Sequence, residues 1–176
     1  MKIYIVRHGE TEMGKNRVFA SVEEQLNENG INQAINVGKE LKNFNIDMVY
    51  CSPIKRAKHT LELFALNKNI PVFIENRLKE RDMGLYEKVS FDDIDWDEFW
   101  GYNSEQKYLE LESMKSVYKR VAEFLNELKA KYTDENILLV THGGVARAIY
   151  WYFNGIDNSK FECENCKIYS YNINNI

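Results

Sequence analysis

Ile3-Tyr4-Ile5-Val6-Arg7-His8-Gly9-Glu10-Thr11 opens the chain, and Ile137-Leu138-Leu139-Val140-Thr141-His142-Gly143-Gly144 answers it near the other end. Each segment is a short aliphatic or β-branched run that stops at a histidine followed by glycine. Such runs read as strands buried on both faces, as in a parallel sheet. In open α/β sheets ligands gather in the crevice beyond the carboxyl ends of the strands. Histidines at both ends are therefore expected to face one pocket, although the sequence sets them far apart.

Between these segments strand-like and helix-like stretches alternate, which argues for an α/β sheet. Ile31, Ala34, Ile35, Gly38 and Leu41 mark a helical face, with Asn27 as its N-cap. Met48-Val49-Tyr50-Cys51 reads as the second strand. Ser52 is then expected to cap a helix with Pro53 at its first position, where a missing amide donor does no harm. That helix should turn Ala57, Leu61, Phe64 and Ala65 inward, and Val72-Phe73-Ile74 follows as a short strand. Met114, Val117, Val121, Phe124, Leu125 and Leu128 predict an amphipathic helix over 113–131. A further helix is expected over 145–153, and Tyr169, Tyr171 and Ile173 alternate as a closing strand.

Residues 85–111 break the alternation with an acidic, aromatic stretch that includes Asp92, Asp93, Asp95, Trp96, Phe99, Trp100, Tyr102 and Tyr108. The expected fold is thus α/β: a three-layer α/β/α sandwich with a mostly parallel central sheet and a small inserted cap, forming one domain over 1–176. Most of the cap rings are expected to pack on the core, with one or two left for substrate.

A chain of 176 residues and 20.8 kDa has length for one full core. A net charge of −4 argues against a general nucleic-acid binder, which would show a basic face. No run approaches the length of a membrane span, and with Met1-Lys2 leading straight into the first strand no signal peptide is expected. The odd count of 3 cysteines disfavours a disulfide framework, and a cytoplasmic location is expected. Cys163-x-x-Cys166 invites a zinc or redox reading, but it is a single pair without a second ligand cluster nearby.

Beyond Arg7-His8-Gly9-Glu10-Thr11, the chain carries Leu26-Asn27-Glu28-Asn29-Gly30 with Gln33-Ala34, and Ser52-Pro53-Ile54-Lys55-Arg56-Ala57 with Thr60. Leu78-Lys79-Glu80 then precedes Gly84-Leu85-Tyr86-Glu87, followed by Glu112-Ser113 with Arg120-Val121, and by His142-Gly143-Gly144 with Arg147. In this order the motifs resemble those of the histidine phosphatase superfamily, which includes the cofactor-dependent phosphoglycerate mutases, over nearly the whole chain.

The resemblance implies a phosphoryl-transfer site. A phosphate ester needs a nucleophile, positive charge around its equatorial oxygens and an acid for the leaving group. By resemblance His8 is the nucleophile, passing through a phosphohistidine. Arg7 and Arg56 clamp the oxygens with planar donors that match the anion better than lysine does. His142, protonated beside the dianion, and the amide of Gly143 at a helix N-terminus are further donors. Glu80 matches the acid position, a role that rests on resemblance more than on chemistry. Arg77 and Arg81 read as surface charges with room for substrate contact, His59 as a surface or helix-packing residue, and Arg147 as a packing or ion-pair residue.

No cofactor and no metal are expected. A divalent cation beside Arg7 and Arg56 would meet repulsion with no carboxylate cluster to offset it. The expected partner is a small phosphorylated metabolite, with no nucleic acid and no membrane; the residues carry no signal for oligomeric state. The family often reads R-H-G-x-T-x-x-N, where this chain has Gly14, with Asn16 two residues later. Either Asn16 takes that place by a local shift, or the pocket lacks one neutral donor. The usual W-E-G is Tyr86-Glu87-Lys88 here. A short, aspartate-rich cap disfavours a second strongly anionic group on the substrate. Hydrolysis of a small phosphomonoester is therefore preferred over mutase-type transfer or non-catalytic binding of a phosphorylated ligand.

Overall fold

The computed structural model describes residues 1–104, 108, 110–157 and 161–173. Its five strands are β1 (Lys2–Arg7), β2 (Met48–Cys51), β3 (Val72–Ile74), β4 (Asn136–Thr141) and β5 (Ile168–Asn172), in the order β3-β2-β4-β1-β5. All neighbours run parallel except β5, which pairs antiparallel with β1. The expected mostly parallel sheet is what the chain forms.

Alternation explains the layers. Ile3, Ile5, Ile137 and Leu139 face one core with α5 (Met114–Lys131) and α6 (Gly143–Asn154). Tyr4, Val6, Leu138 and Val140 face the other, against α2 (Glu28–Leu41) and α3 (Lys55–Leu63). Strands covered on both faces need apolar side chains at every position, hence the unbroken runs.

The side chains of Asn27 and Ser113 cap α2 and α5, accepting from the amides of Gly30 and Ser116. Elsewhere the local reading is corrected. In α2 the buried face is Ala34, Val37, Gly38 and Leu41, and Ile35 is 38% exposed. Those positions follow helical spacing, from which Ile35 falls off. Ser52 does not cap α3: the helix starts at Lys55 with Ile54 as N-cap, and the Ser52 hydroxyl turns toward β4. Ala65 is exposed at φ 47°, where the chain leaves the helix. Helix α6 begins at Gly143, two residues before the predicted start.

Register places the site. β1 and β4 pair from Lys2↔Asn136 to Arg7↔Thr141, so His8 and His142 leave adjacent strands at the same level. Cys51 pairs with Val140, which brings Ser52 to that edge as well. The loop after β1 is packed on the start of α2. A Cβ on Gly30 would lie 2.1 Å from the Glu10 carbonyl oxygen, and one on Gly9 would lie 2.4 Å from that of Gly30. Gly30→Ala should gain helix propensity of about 1 kcal/mol. The backbone clash opposes this with about 1–3 kcal/mol and displaces the loop. A net fall in the denaturation midpoint is the expected result, and an unchanged or raised midpoint would contradict this packing.

In the region expected as a cap, residues 105–107 and 109 lie outside the described set. The remainder forms short 3₁₀ turns at Gly84–Tyr86 and Phe91–Asp93 and the helix α4 (Trp96–Phe99). Arg17 and Asp92 join it to the loop after β1 through an ion pair of 2.9 Å, and Phe19 stacks on Phe99 with centroids 4.8 Å apart.

Candidate active site

A cavity of about 530 Å³ opens at the carboxyl edge of the sheet, with Arg7, His8, Thr11, Arg56, Glu80 and Gly143 among the residues that line it. Phe19 and the cap rings Phe91, Trp96 and Trp100 form an aromatic wall, more cap rings than the one or two expected. Arg147, Phe161, Glu162 and Glu164 also line the cavity.

His8 is buried, and its ring is held at both nitrogens. Nδ1 lies 2.8 Å from the Gly9 carbonyl oxygen, and Arg56 Nε donates to Nε2 at 3.1 Å. A carbonyl only accepts and a guanidinium only donates, so the proton is on Nδ1 and a lone pair is on Nε2. Burial is the main cause that pushes the His8 pKa well below 6.5, and Arg56 and Arg7 add to it. The ring is therefore neutral at pH 7, and its Nε2 lone pair meets an electrophile once the hydrogen bond from Arg56 is given up.

Motif residues without an assigned role support this loop. Thr60 Oγ1 accepts from the Gly9 amide at 3.1 Å, and Gln33 Oε1 accepts from the Glu10 amide at 2.9 Å. Arg56, only 2% exposed, also donates to the Ser21 carbonyl at 2.7 Å. Arg7 donates through Nη1 to the Cys163 carbonyl at 2.8 Å, and its buried Nε has no protein partner.

His142 sits behind His8, with ring centroids 5.0 Å apart, and is 0% exposed. Its Nε2 pairs with Ser52 Oγ at 2.8 Å. Burial, then His8, Arg56 and Arg7, push its pKa well below 6.5. In the resting site His142 is thus neutral, and the charge expected of it is one taken up beside a phosphate dianion. Both rings stay neutral in the fold, whereas the unfolded chain binds a proton at each below pH about 6.5. Stability is therefore full above that pH and falls as pH drops below it, by up to about 1.4 kcal/mol per pH unit for each ring. Urea midpoints measured from pH 7.5 to 5 should fall with this slope, and a flat profile would mean that the rings are charged in the fold.

Glu80 joins the cavity from the segment after the 3₁₀ turn Asn76–Leu78. Its Oε1 accepts from the amides of Arg81 at 2.9 Å and Gly144 at 3.0 Å. A Cβ on Gly144 would stand 2.7 Å from that oxygen, so the second glycine of the His-Gly-Gly run makes room for the carboxylate. Arg120 forms a fork with Glu112, at 2.9 and 3.0 Å, and reaches the carbonyls of Arg77 and Glu80. The Glu112 and Arg120 motifs thus anchor the Glu80 segment.

Three expectations change. Asn16 is exposed, donates to Glu12 Oε1 at 3.3 Å, and is absent from the cavity lining, which Gly14 joins instead. The short helix α1 (Glu12–Lys15) sets this, because Asn16 is its C-cap and faces away. Arg81 is no surface charge: it is 2% exposed, donates to the carbonyls of Glu112 and Phe99 and to Ser104 Oγ, and stacks on Phe99. Arg77 is half-buried and pairs with Glu75 and Glu127 at 2.8 and 2.9 Å. Arg147 packs over Trp100, as a packing residue should, but also borders the cavity.

Among the described residues no three His, Cys, Asp or Glu side chains are grouped to hold a metal ion, and no helix is long and apolar enough to cross a membrane. The arrangement is one that an anion fits: guanidinium groups, a helix N-terminus and a neutral nucleophilic imidazole converge on one cavity.

This fold and site define an α/β protein with an anion-fitting cavity, lined by arginines and a histidine, at the carboxyl edge of its sheet. The sequence profile of the histidine phosphatase superfamily (branch 1) matches residues 3–175, and the chain belongs to that family. It is 31% identical over 180 residues to phosphoserine phosphatase 1 of Hydrogenobacter thermophilus, covering 98% of this chain and 85% of that one. The metal-independent phosphoserine phosphatase of Arabidopsis thaliana is 35% identical over 164 residues, covering 85% and 67%. Among solved structures, the α-ribazole phosphatase of Shigella flexneri superposes with a TM-score of 0.81 at 26% identity, covering 98% of this chain and 91% of that one.

Proposed function

We propose that this chain is a metal-independent phosphomonoesterase that hydrolyses a small phosphate ester through a phosphohistidine on His8. The observation that carries the reading is the His8 ring: neutral, protonated on Nδ1, with the Nε2 lone pair beside Arg56 in the cavity. Nε2 attacks phosphorus, the P–N bond forms, and the bond from phosphorus to the leaving oxygen breaks. A proton from Glu80 goes to that oxygen. Water then attacks phosphorus and gives its proton to Glu80, and P–N cleavage returns the lone pair to Nε2.

Arg7, Arg56 and the Gly143 amide hold the equatorial oxygens. His142 is the deeper donor, charged only when the substrate dianion compensates the neighbouring arginines. With Oε1 of Glu80 held by two amides, Oε2 is the oxygen left to carry the proton. Glu162 and Glu164 line the cavity against Arg17 and Arg147, so beside the aromatic wall there is no excess of positive charge for a second phosphate, which supports hydrolysis over mutase-type transfer. Relatives that include two phosphoserine phosphatases make phosphoserine the first substrate to assay. A location in the cytoplasm accords with the free, buried thiols of Cys51 and Cys163.

The test is hydrolysis of p-nitrophenyl phosphate and phosphoserine with EDTA present, together with acid-stable and acid-labile phosphate bound to the quenched enzyme. EDTA-resistant turnover with an acid-labile phosphoenzyme is expected. Turnover abolished by EDTA, or phosphate bound in an acid-stable form, would overturn the mechanism.

A further inference from the structure

The segment 163–166, which resembled a metal or redox pair, meets the nucleophile strand instead. Cys166 donates its amide to the Arg7 carbonyl at 3.0 Å, and the Cys163 carbonyl accepts from Arg7 Nη1 at 2.8 Å. Between them, Asn165 donates through Nδ2 to the His8 carbonyl at 2.7 Å and forms an isolated parallel bridge with Arg7. Burial pushes both thiols up to about 12, so neither sulfur is a thiolate at neutral pH.

We infer that Asn165 is a positioning residue for the phosphoryl-transfer step, gripping the peptide plane from which the His8 ring is aimed. This rests on the phosphohistidine reading above. The His8–Gly9 peptide is held at both ends: its carbonyl by Asn165, and its amide by Thr60 Oγ1 at 3.1 Å. On the near side the His8 amide donates to Thr141 at 3.0 Å. The ring's Nδ1–H donates to the next carbonyl along, that of Gly9, at 2.8 Å, which together with Arg56 at Nε2 sets its tautomer. A tilt of the His8–Gly9 plane therefore moves the acceptor of Nδ1–H and swings Nε2 off the line of attack.

The segment divides its work. The Cys163 carbonyl steadies Arg7, which serves phosphate binding. The Asn165 amide steadies His8, which serves bond formation. Loss of the amide donor should therefore lower kcat and spare affinity for the phosphoryl group.

The experiment compares Asn165→Ala and Asn165→Asp with the native chain for kcat, for competitive inhibition by inorganic phosphate, and for the His8 tautomer by ¹⁵N NMR. In Asn165→Ala, kcat should fall about 10- to 100-fold, as displacement of a reacting atom by about 1 Å does. Inhibition by phosphate should change by no more than about threefold, because ground-state binding is kept. The His8 signals should show a mixture of tautomers. Asn165→Asp sets a carboxylate oxygen against the His8 carbonyl, and only its protonated form donates. Its kcat should recover as pH falls from 7 to 5, whereas that of Asn165→Ala should not.

Native kcat in Asn165→Ala, equal losses in kcat and phosphate affinity, or no recovery in Asn165→Asp would each overturn the proposal. Because Asn165→Asp keeps size and shape, it serves if the alanine variant fails to fold. Failure of the underlying reading shows separately, as turnover that survives His8→Ala. The tautomer measurement needs no turnover.

Discussion

Replacing His8 by alanine is expected to lower kcat by about 10⁴- to 10⁶-fold, the range seen when a catalytic nucleophile is removed. The acid-labile phosphoenzyme should disappear with it. The cause is specific to Nε2, the only imidazole nitrogen at this position that carries a lone pair toward the cavity. His142 cannot substitute, because its ring is fully buried behind His8 and does not line the cavity. Removing a neutral buried ring also removes a group whose protonation favours unfolding in acid, so His8→Ala should make the fall in stability below pH 6.5 shallower, leaving the part due to His142. The readout is single-turnover chemistry with folded variant, checked by circular dichroism. Residual turnover within tenfold of native would mean that another group attacks phosphorus.

Glu80→Gln should show a loss that depends on the leaving group. The glutamine carbonyl can still accept from the amides of Arg81 and Gly144, so the segment should stay in place. What it cannot do is supply a proton to the departing oxygen. A serine alkoxide needs that proton, and general-acid catalysis is worth about 10²- to 10⁴-fold. The p-nitrophenolate anion leaves readily without it, so its formation of phosphoenzyme should slow far less. Burst kinetics on both esters measure this. Equal losses would place Glu80 in binding rather than proton transfer.

Both predictions depend on groups that the chain order advertises and on surroundings that it does not. His8, Arg7, Arg56, Glu80 and Gly143 stand in ordered motifs, and all line one cavity. Asn16 was the nearest amide to a missing motif position, and a one-turn helix directs it to solvent. Arg81 looked like one more surface cation beside Glu80. Its burial comes from carbonyls and a hydroxyl on residues 99, 104 and 112, and aromatic rings, none of them near it in sequence.

By itself the sequence determined that β1, β2 and β4 become strands, because a run apolar at every position is stable when both its faces are buried; β3 is as apolar, but at the sheet edge its three side chains are exposed. It determined the caps at Asn27 and Ser113 and the histidine at each strand end, since these are contacts within a few residues or direct consequences of where an apolar run stops. Tertiary structure decided the rest. Strand register set His8 beside His142, the Arg56 guanidinium came to the His8 Nε2 lone pair, and the Ser52 hydroxyl, which also accepts from the Ile54 amide, came to His142. Asn165 came to the nucleophile from the far end of the chain. These are single hydrogen bonds across long separations, and no local period encodes them; they exist only once two cores have fixed the sheet between them.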